Sequence, residues 1–442
     1  MSYRASQPLR FRLAVAALVC VIGLTAQPAS AVDIAFRNFS SSAALGPPAD
    51  DYAVKLADLS AIALGQAGQV RFAKYSPTPA VPKEFKNIMA AVAAGGPLAG
   101  GKGFDAAYIS GSELNAAWGF IYNSGVPLGP TFDEFVGFLY GKSIGGTETG
   151  LEQLQRILDT NGTNIVALPV AGSCQQLSGY FKRPIGRAGS TPGIGLAGLC
   201  RQNWTFRYLP PAQYVLDRAC DDLVARGVIP KKNIKFIQAI AGGGSLVKAV
   251  ADGKLQAFEF ATPVDDYSQL FNLPEGNPGT VGNRYVHVPG WQQQFLITYM
   301  IINKTVWDGL SPAQQALVKS VARDHVLSSY GETVRKQGEA LQKILTANDG
   351  DGNPGNDLVL AQWPEKDLAL LRNAAIRFLN ARASDESLSE QDRKDFAEIL
   401  ESLRAYVGAN SAYWKTRDVP ASLRFQGWKD PAGKKSWEQK LK

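Results

Sequence analysis

Two histidines and four cysteines in 442 residues leave little material for the commonest enzyme chemistry. Zinc centres draw on clusters of His and Cys, and His is the usual general base near neutral pH. With His287 and His325 alone to supply either role, no catalytic residue is assigned. His325 stands in a charged helical stretch and reads as a surface residue. A large excess of one charge is also missing, with 46 Lys and Arg against 39 Asp and Glu. A nucleic-acid binder clusters basic residues on one face, and this near-balance does not suggest one. A mild positive field is still of use in attracting an anion. Beyond the amino terminus, no apolar stretch approaches the roughly 20 residues that cross a bilayer.

What is present begins with Arg4, Arg10 and Arg12, followed by an apolar run from Leu13 to Leu24 and by Ala29-Ser30-Ala31. A basic flank, a short apolar core and small residues at a cleavage position describe a secretory signal. Residues 1–31 are therefore expected to be removed near Ala31, and the mature chain to reach the periplasm. Bulky Val19 before Cys20 argues against a lipid-anchoring cysteine. The remaining length, about 410 residues, is enough for two core-forming domains. An oxidising compartment permits one disulfide among Cys174, Cys200 and Cys220. Cys174 with Cys200 is the preferred pair, because the two flank a Gly-rich segment that pinning would stabilise; three buried thiols are the alternative.

Strand-like and helix-like stretches alternate along the chain, which indicates an α/β architecture with largely parallel sheets. Ile34–Phe39, Val70–Tyr75 and Asp105–Ile109 read as strands. Apolar helical stripes at Tyr52, Leu56, Leu59 and Ala63, then at Phe85, Ile88, Met89 and Val92, separate them. A second set has strands at Ile165–Val170, Trp204–Tyr208, Ile234–Ile237 and Leu255–Phe260, with helices over Tyr214–Arg226 and from Ser245. Phe295–Ile302 is a strand long enough to run between two lobes. Ser311-Pro312 is a helix start, a capping residue followed by proline in the first turn. The periodicity after it continues far enough for one helix to span both lobes. The tail is helical, one of its helices opened by the pair Ser387 and Glu390. The expected division is a first lobe of 32–160 with parts of 261–345, and a second of 161–260 with parts of 289–345. Residues 346–442 form a helical region packed on the lobes.

Five segments, in this order, resemble one family. Gly125-Val-Pro-Leu-Gly129 is similar to its V-P-F-G turn, and Gln176-Leu-Ser-Gly-Tyr-Phe181 to its Q-x-G-G-W-F segment. Gly253-Lys-Leu-Gln-Ala-Phe-Glu-Phe-Ala-Thr-Pro-Val-Asp-Asp266 resembles its G-x-x-D-A-x-E-W-x-x-P-x-D-D stretch, with Gln256 in place of the first acid. Tyr285-Val-His-Val-Pro-Gly-Trp291 matches Y-x-x-x-P-G-W. Ile301-Ile-Asn-Lys-Thr-Val-Trp307, with Leu310 and Gln314-Gln315, matches an I-N-x-x-x-W-x-x-L run ending in Gln. The family is that of the substrate-binding proteins of tripartite ATP-independent periplasmic (TRAP) transporters, and the likeness extends over most of the mature chain. It implies the two-domain periplasmic-binding-protein fold, with hinge strands, a long domain-spanning helix and two lobes closing over a carboxylate. The branch it looks closest to binds 2-oxo acids and similar small acids. The partners implied are that ligand and the permease subunits in the membrane.

Carried over residue by residue, the resemblance gives Arg207 the ligand carboxylate. A planar guanidinium offers two parallel donors to two carboxylate oxygens. The inserted segment Cys200-Arg-Gln-Asn203 leaves Arg201 as a rival for the role. Gln176, Glu259 and the carbonyl of Phe260 match positions that hold a metal ion in one branch, with sodium or calcium implied, since oxygen donors suit hard cations. Gln293 stands where that branch often has an acid. Trp291 and Phe260 are expected to line an apolar pocket. Gly242-Gly243-Gly244 either presents helix amides to an anion or is a plain connection. Asp349-Gly-Asp-Gly-Asn353 starts like a calcium loop, but Pro354 stands where such a loop needs glycine. Two other functions remain open at this point: a secreted enzyme on the same fold with Glu259 as base, and a sensory ligand-binding protein.

Overall fold

The computed structural model describes residues 30–38, 46–74, 86–142, 146–208, 210–237, 240, 242–271, 277–346 and 358–417. The expected leader up to Ala29 and the loop Asp349–Asn353 lie outside them. The chain forms two compact units from alternating segments. The first comprises Met1–Ser124, Leu154–Gln175 and Phe295–Glu339, the second Gly125–Gln153, Gln176–Gln294 and Ala340–Lys442. Among the described residues, no helix is long and apolar enough to cross a membrane.

The first unit is built on a five-stranded sheet of β1 (Val32–Asn38), β2 (Val70–Lys74), β3 (Ala106–Ser110), β4 (Ile165–Ser173) and β10 (Leu296–Asn303), in the order β2-β1-β3-β10-β4. β1, β2 and β3 are parallel, and β10 runs antiparallel to both β3 and β4. Helices α1 (Gly46–Leu64), α2 (Ile88–Ala93), α3 (Gly119–Ser124) and α10 (Lys304–Asp308) belong to this unit. Ile34, Phe36, Tyr52, Val70, Met300 and Ile302 meet in its core. All nine residues of β4 are buried, so an apolar strand rather than an alternating one is what the sequence must supply. This strand was expected in the second lobe, but strand-like composition does not choose a partner. Its ladder to β10 places it in the first unit. β10 likewise lies wholly in the first unit, hydrogen-bonded on both sides, instead of running between lobes.

The β4–β10 ladder slips between Thr298, paired with Ala171, and Tyr299, paired with Pro169. Pro169 has no N–H to give the ladder, and Val170 becomes the extra residue of a bulge. Its carbonyl is met by His325 Nδ1 at 2.5 Å. His325 is thus buried, at 5 % exposure, and not the surface residue that its charged helix suggests. Burial pushes its imidazole below the usual histidine range.

The second unit has a six-stranded sheet of β5 (Gly179–Phe181), β6 (Thr205–Arg207), β7 (Lys235–Phe236), β8 (Ala257–Phe258), β9 (Tyr285–Val288) and β11 (Val359–Gln362), in the order β11-β9-β5-β8-β6-β7. β5 is its one reversed strand. Helices α4 (Phe132–Tyr140), α6 (Gly195–Arg201), α7 (Ala212–Ala225), α8 (Gly243–Ala251), α9 (Pro263–Leu270), α12 (Glu365–Arg382) and α13 (Glu390–Arg417) surround it. The tail is not purely helical, since β11 extends the sheet by pairing with β9. α12 joins the core through Leu371, Ala374 and Ala375, and Phe378 stacks on Tyr214 of α7 at 5.7 Å. Ser389, rather than Ser387, caps α13, accepting the Asp392 N–H at 3.0 Å. Two helices carry residues of both units, α5 (Gly150–Thr160) and the 34-residue α11 (Pro312–Leu345).

The disulfide joins Cys200 of α6 to Cys220 of α7, with a Cα separation of 5.5 Å. Cys174 belongs to the first unit and keeps its thiol, 3.6 Å from the Gln175 carbonyl. The expected Cys174–Cys200 pair is therefore replaced by one between packed helices, where two Cα atoms come within bridging range.

Candidate functional site

Arg207 ends β6, and neighbouring β8 runs parallel to it, which sets Glu259 opposite its backbone: the Glu259 N–H donates to the Arg207 carbonyl at 3.1 Å. The side chains then meet. Arg207 Nη1 donates to the Glu259 carbonyl at 2.9 Å and to its carboxylate Oε1 at 2.8 Å, while Nε reaches the Ile240 carbonyl at 3.4 Å. Both side chains are more than nine-tenths buried. Removing either partner of such a pair leaves an uncompensated buried charge, which costs about 3–5 kcal/mol. Three of the five guanidinium N–H groups are spent in this way. Among the described residues nothing takes the two on Nη2. The parallel fork expected of Arg207 is thus half engaged by the protein itself. Arg201, the rival, is exposed at the end of α6 and has no part in this arrangement.

The other expected residues converge on the same place through the backbone. The Gln176 N–H reaches the Gln293 carbonyl at 3.4 Å, and the Leu177 N–H reaches the Ala261 carbonyl at 3.3 Å. Gln176 and Gln293 are half-buried and stand where the chain first joins, and then leaves, the central segment of the second unit. Phe260 is half-buried and packs on the cluster around Tyr180, Phe258 and Leu270. Trp291 differs from expectation. It is fully buried in the other cluster of this unit, 6.0 Å from Tyr208 and 6.2 Å from Trp363, so its ring serves as core. Its backbone carbonyl receives the Leu128 N–H at 2.9 Å, tying the Gly125–Gly129 turn to this segment.

A polar frame that sequence reasoning left without roles holds these segments in register. Ser178 Oγ donates to the Pro289 carbonyl at 2.9 Å and accepts from Trp363 Nε1 at 2.9 Å. Tyr208 Oη donates to the Ser178 carbonyl at 2.7 Å, and Gln292 Nε2 to the Leu177 carbonyl at 2.7 Å. Asp266 accepts the Ala261 N–H at 2.9 Å and the Tyr180 hydroxyl at 3.0 Å, which fixes the chain immediately after Phe260. Burial, then the charges of Asp265 and Glu259, push its carboxyl well above the usual range. Asp266 closes the motif begun at Gly253, so a signal for it was present. Asn303 and Gln314, from the last of the five family-like segments, also serve the fold. Asn303 accepts the Thr305 N–H at 2.9 Å and donates to the Val92 carbonyl at 2.9 Å. Gln314 caps its helix with Ser311 and donates to the Gly68 carbonyl at 3.2 Å. Of the Gly242–Gly244 run, Gly243 is explained by packing, because a methyl group there would lie 2.1 Å from the Gln269 carbonyl.

Glu259 is the one carboxylate among the four residues expected to hold a metal ion. Among the described residues, no group of three or more His, Cys, Asp or Glu is placed to bind one. The donors at hand, a carboxylate, amide oxygens and backbone carbonyls, are oxygens of the kind hard cations take.

No family model matches the chain. Its fold is nevertheless that of solved TRAP periplasmic solute-binding proteins. One from Colwellia psychrerythraea, with bound calcium and pyruvate, is 16% identical with a TM-score of 0.61, the match covering 88% of this chain and 97% of that one. One from Bordetella bronchiseptica, with copurified calcium and picolinate, is 16% identical at a TM-score of 0.60, covering 88% and 95%. A third, from Pseudoalteromonas atlantica with bound sodium and pyruvate, is 16% identical at 0.59, covering 88% and 97%.

Proposed function

We propose that this chain is a periplasmic solute-binding protein that captures a small organic acid, a 2-oxo acid or related carboxylate, and passes it to the membrane permease of a TRAP transporter. One observation carries the reading: a buried guanidinium held by its own protein through Nε and Nη1, with the Nη2 donors taken by none of the described residues and open to an acid. A structural ion pair alone would not require Arg207 to end its strand with those donors unspent. The amino-terminal signal supports export, and the likeness in fold supports the transporter class. The Nη2 donors meet the ligand carboxylate, a charge-assisted contact about twice as strong as a neutral one.

A cation beside the acid is part of the same proposal. Glu259, the side chains of Gln176 and Gln293 and the Phe260 carbonyl would hold it. With one acid in the set, and Gln293 where a second acid would raise the charge, sodium suits it better than calcium. A cation drawn to Glu259 competes with Arg207 for the carboxylate and releases Nη1 to the ligand. Acid and cation then raise each other's affinity, as linkage requires.

The experiment is calorimetric titration of the full mature chain with pyruvate, in sodium and in choline chloride, for the native protein and Arg207→Ala. Saturable binding that strengthens in sodium and disappears in the variant is expected. Unchanged affinity in Arg207→Ala removes that residue from the site. Turnover of pyruvate or of other 2-oxo and hydroxy acids replaces the receptor with an enzyme.

A further inference from the structure

The second sheet has two unlike ends. At the carboxyl ends of β6 and β8, Arg207 and Glu259 offset each other's charge. The opposite end collects the turns that lead into β6, β7 and β8, because β6 runs parallel to both its neighbours, and the carboxyl end of antiparallel β5 joins them. Backbone contacts tie these turns together. The Lys182 N–H donates to the Gln256 carbonyl at 3.1 Å, the Gln256 N–H to the Thr205 carbonyl at 3.1 Å, and the Lys235 N–H to the Trp204 carbonyl at 2.8 Å. Asn233 Nδ2 reaches the Arg201 carbonyl at 2.9 Å.

Lys182, Arg183, Arg201, Lys231, Lys235 and Lys254 are exposed at this end. Among the described residues, the first five take part in no ion pair. Acids on the adjoining turns and on α7 are already held: Asp252 by Lys248 and Lys254 at 3.3 and 3.1 Å, Asp217 and Asp221 by Lys232 at 2.7 Å each, and Asp222 by Arg377. Gln256, between the strands, is neutral and accepts the Thr205 N–H at 2.8 Å. Helix carboxyl ends attract cations, which accounts for Arg201 at the end of α6 and Lys254 just after α8. It does not account for Lys182 and Arg183, which follow a strand, or for Lys235, which lies within one.

We propose that this end of the second unit docks on an anionic phospholipid bilayer, holding the protein at the membrane surface. Composition selects the bilayer over a protein partner. Protein interfaces are depleted in Lys and take aromatic anchors at their core, whereas four of these six residues are Lys. The exposed large apolar side chain of these turns is Val228, not an aromatic one. A chain with a secretory signal meets lipid headgroups rather than nucleic acid. Each Lys or Arg close to an anionic bilayer raises partitioning about fivefold, provided it comes within a Debye length of the surface. Six on one end of a sheet can do so together. Nothing in this inference depends on what the Arg207 site binds.

Sedimentation of the full mature chain with mixed phosphatidylglycerol and phosphatidylcholine vesicles tests the proposal, with pure phosphatidylcholine vesicles and soluble polyaspartate as comparisons. The chain should sediment with the anionic vesicles and not with the neutral ones, and binding should fall about tenfold or more as salt rises from about 0.05 to about 0.5 M. Lys182→Gln, Arg201→Gln and Lys235→Gln should each weaken it about fivefold, while titrating with pyruvate like the native protein. Arg323→Gln removes the same charge from an exposed position of the first unit and should leave binding unchanged. The proposal is overturned if both kinds of vesicle behave alike, if the three variants bind like the native protein, or if Arg323→Gln weakens binding as much as they do. Capture by polyaspartate without binding to anionic vesicles would also overturn it, and would make the partner an acidic protein face.

Discussion

The two units reach stability by different routes. In the first, strands of five to nine residues stack full ladders over one apolar core. In the second, strands of two to four residues supply little ladder, and point fastenings take over. These are the Cys200–Cys220 bridge, the Arg207–Glu259 pair, and the hydrogen bonds that converge on Ser178. The contrast teaches where chemistry can be placed. A long strand commits its backbone groups to neighbours, whereas a short one ends early and leaves carbonyls and side chains to serve a ligand. Every residue expected to hold the acid or the cation lies in the second unit.

If the contrast is right, the largest effect comes from the most buried fastening. Arg207→Ala should lower unfolding free energy by about 3–5 kcal/mol, by leaving the Glu259 charge buried without its partner, as well as abolishing pyruvate binding. Urea denaturation followed by circular dichroism reads this, and a loss below about 1 kcal/mol would place Arg207 among ordinary surface pairs. Next is the bridge. Replacing Cys200 and Cys220 together by Ser releases a loop with a sequence separation of 20 residues, for which a loss of about 3 kcal/mol is expected. Hydrogen exchange should quicken in α6 and α7 and not in β1 to β4, and quickening spread over both sheets would erase the contrast.

A smaller effect depends on pH. His287 is fully buried, its Nε2 accepting the Ile185 N–H at 2.8 Å and its Nδ1 lying 3.2 Å from the Tyr285 carbonyl. Burial pushes its pKa down from 6.5 to about 3. Its folded pKa lies below its unfolded one, so the unfolded chain binds the proton first as pH falls. The stability gained by keeping it neutral is complete above pH 6.5 and is lost on the way down to about pH 3. Between pH 6.5 and 4.5 roughly 2–3 kcal/mol should disappear, and His287→Gln should flatten that slope. An identical slope in the variant would move the titration elsewhere. The smallest effect belongs to the first unit. Ile301→Val, deep in β10, should cost about 1 kcal/mol, since its ladders to β3 and β4 remain, and a loss above about 3 kcal/mol would show that this unit too rests on single contacts.

Periodicity placed most strands within a residue or two, and the motif around Glu259 together with the strand ending at Arg207 pointed to the residues that pair. Partnership was much less legible. Ile165–Ser173 is apolar enough for a central strand of either sheet, and only its ladder to β10 assigns it. The cysteine pairing depends on the 5.5 Å approach of two helices, which spacing along the chain does not encode. His325 was misread because the carbonyl it meets is offered by a bulge at Val170, beside Pro169 on β4, more than 150 residues away along the chain. Motif residues carried a further ambiguity: Asp266 shares its segment with Glu259, and Trp291, Asn303 and Gln314 belong to the neighbouring family-like segments, yet all four hold the fold in place.

The alternation of segments between the units has a consequence for biogenesis. The chain passes from one unit to the other five times, so no continuous stretch of the gene encodes either of them. In the first sheet, β3 and β4 have no ladder to each other and are joined only by β10 between them. A chain emerging amino end first delivers β3 and β4 long before Leu296–Asn303 arrives. Until then each offers an open edge to any other strand nearby, the hazard that folded sheets usually conceal. The nascent protein therefore needs protection from self-association until roughly two-thirds of it has emerged, and a holding chaperone is most useful during that interval.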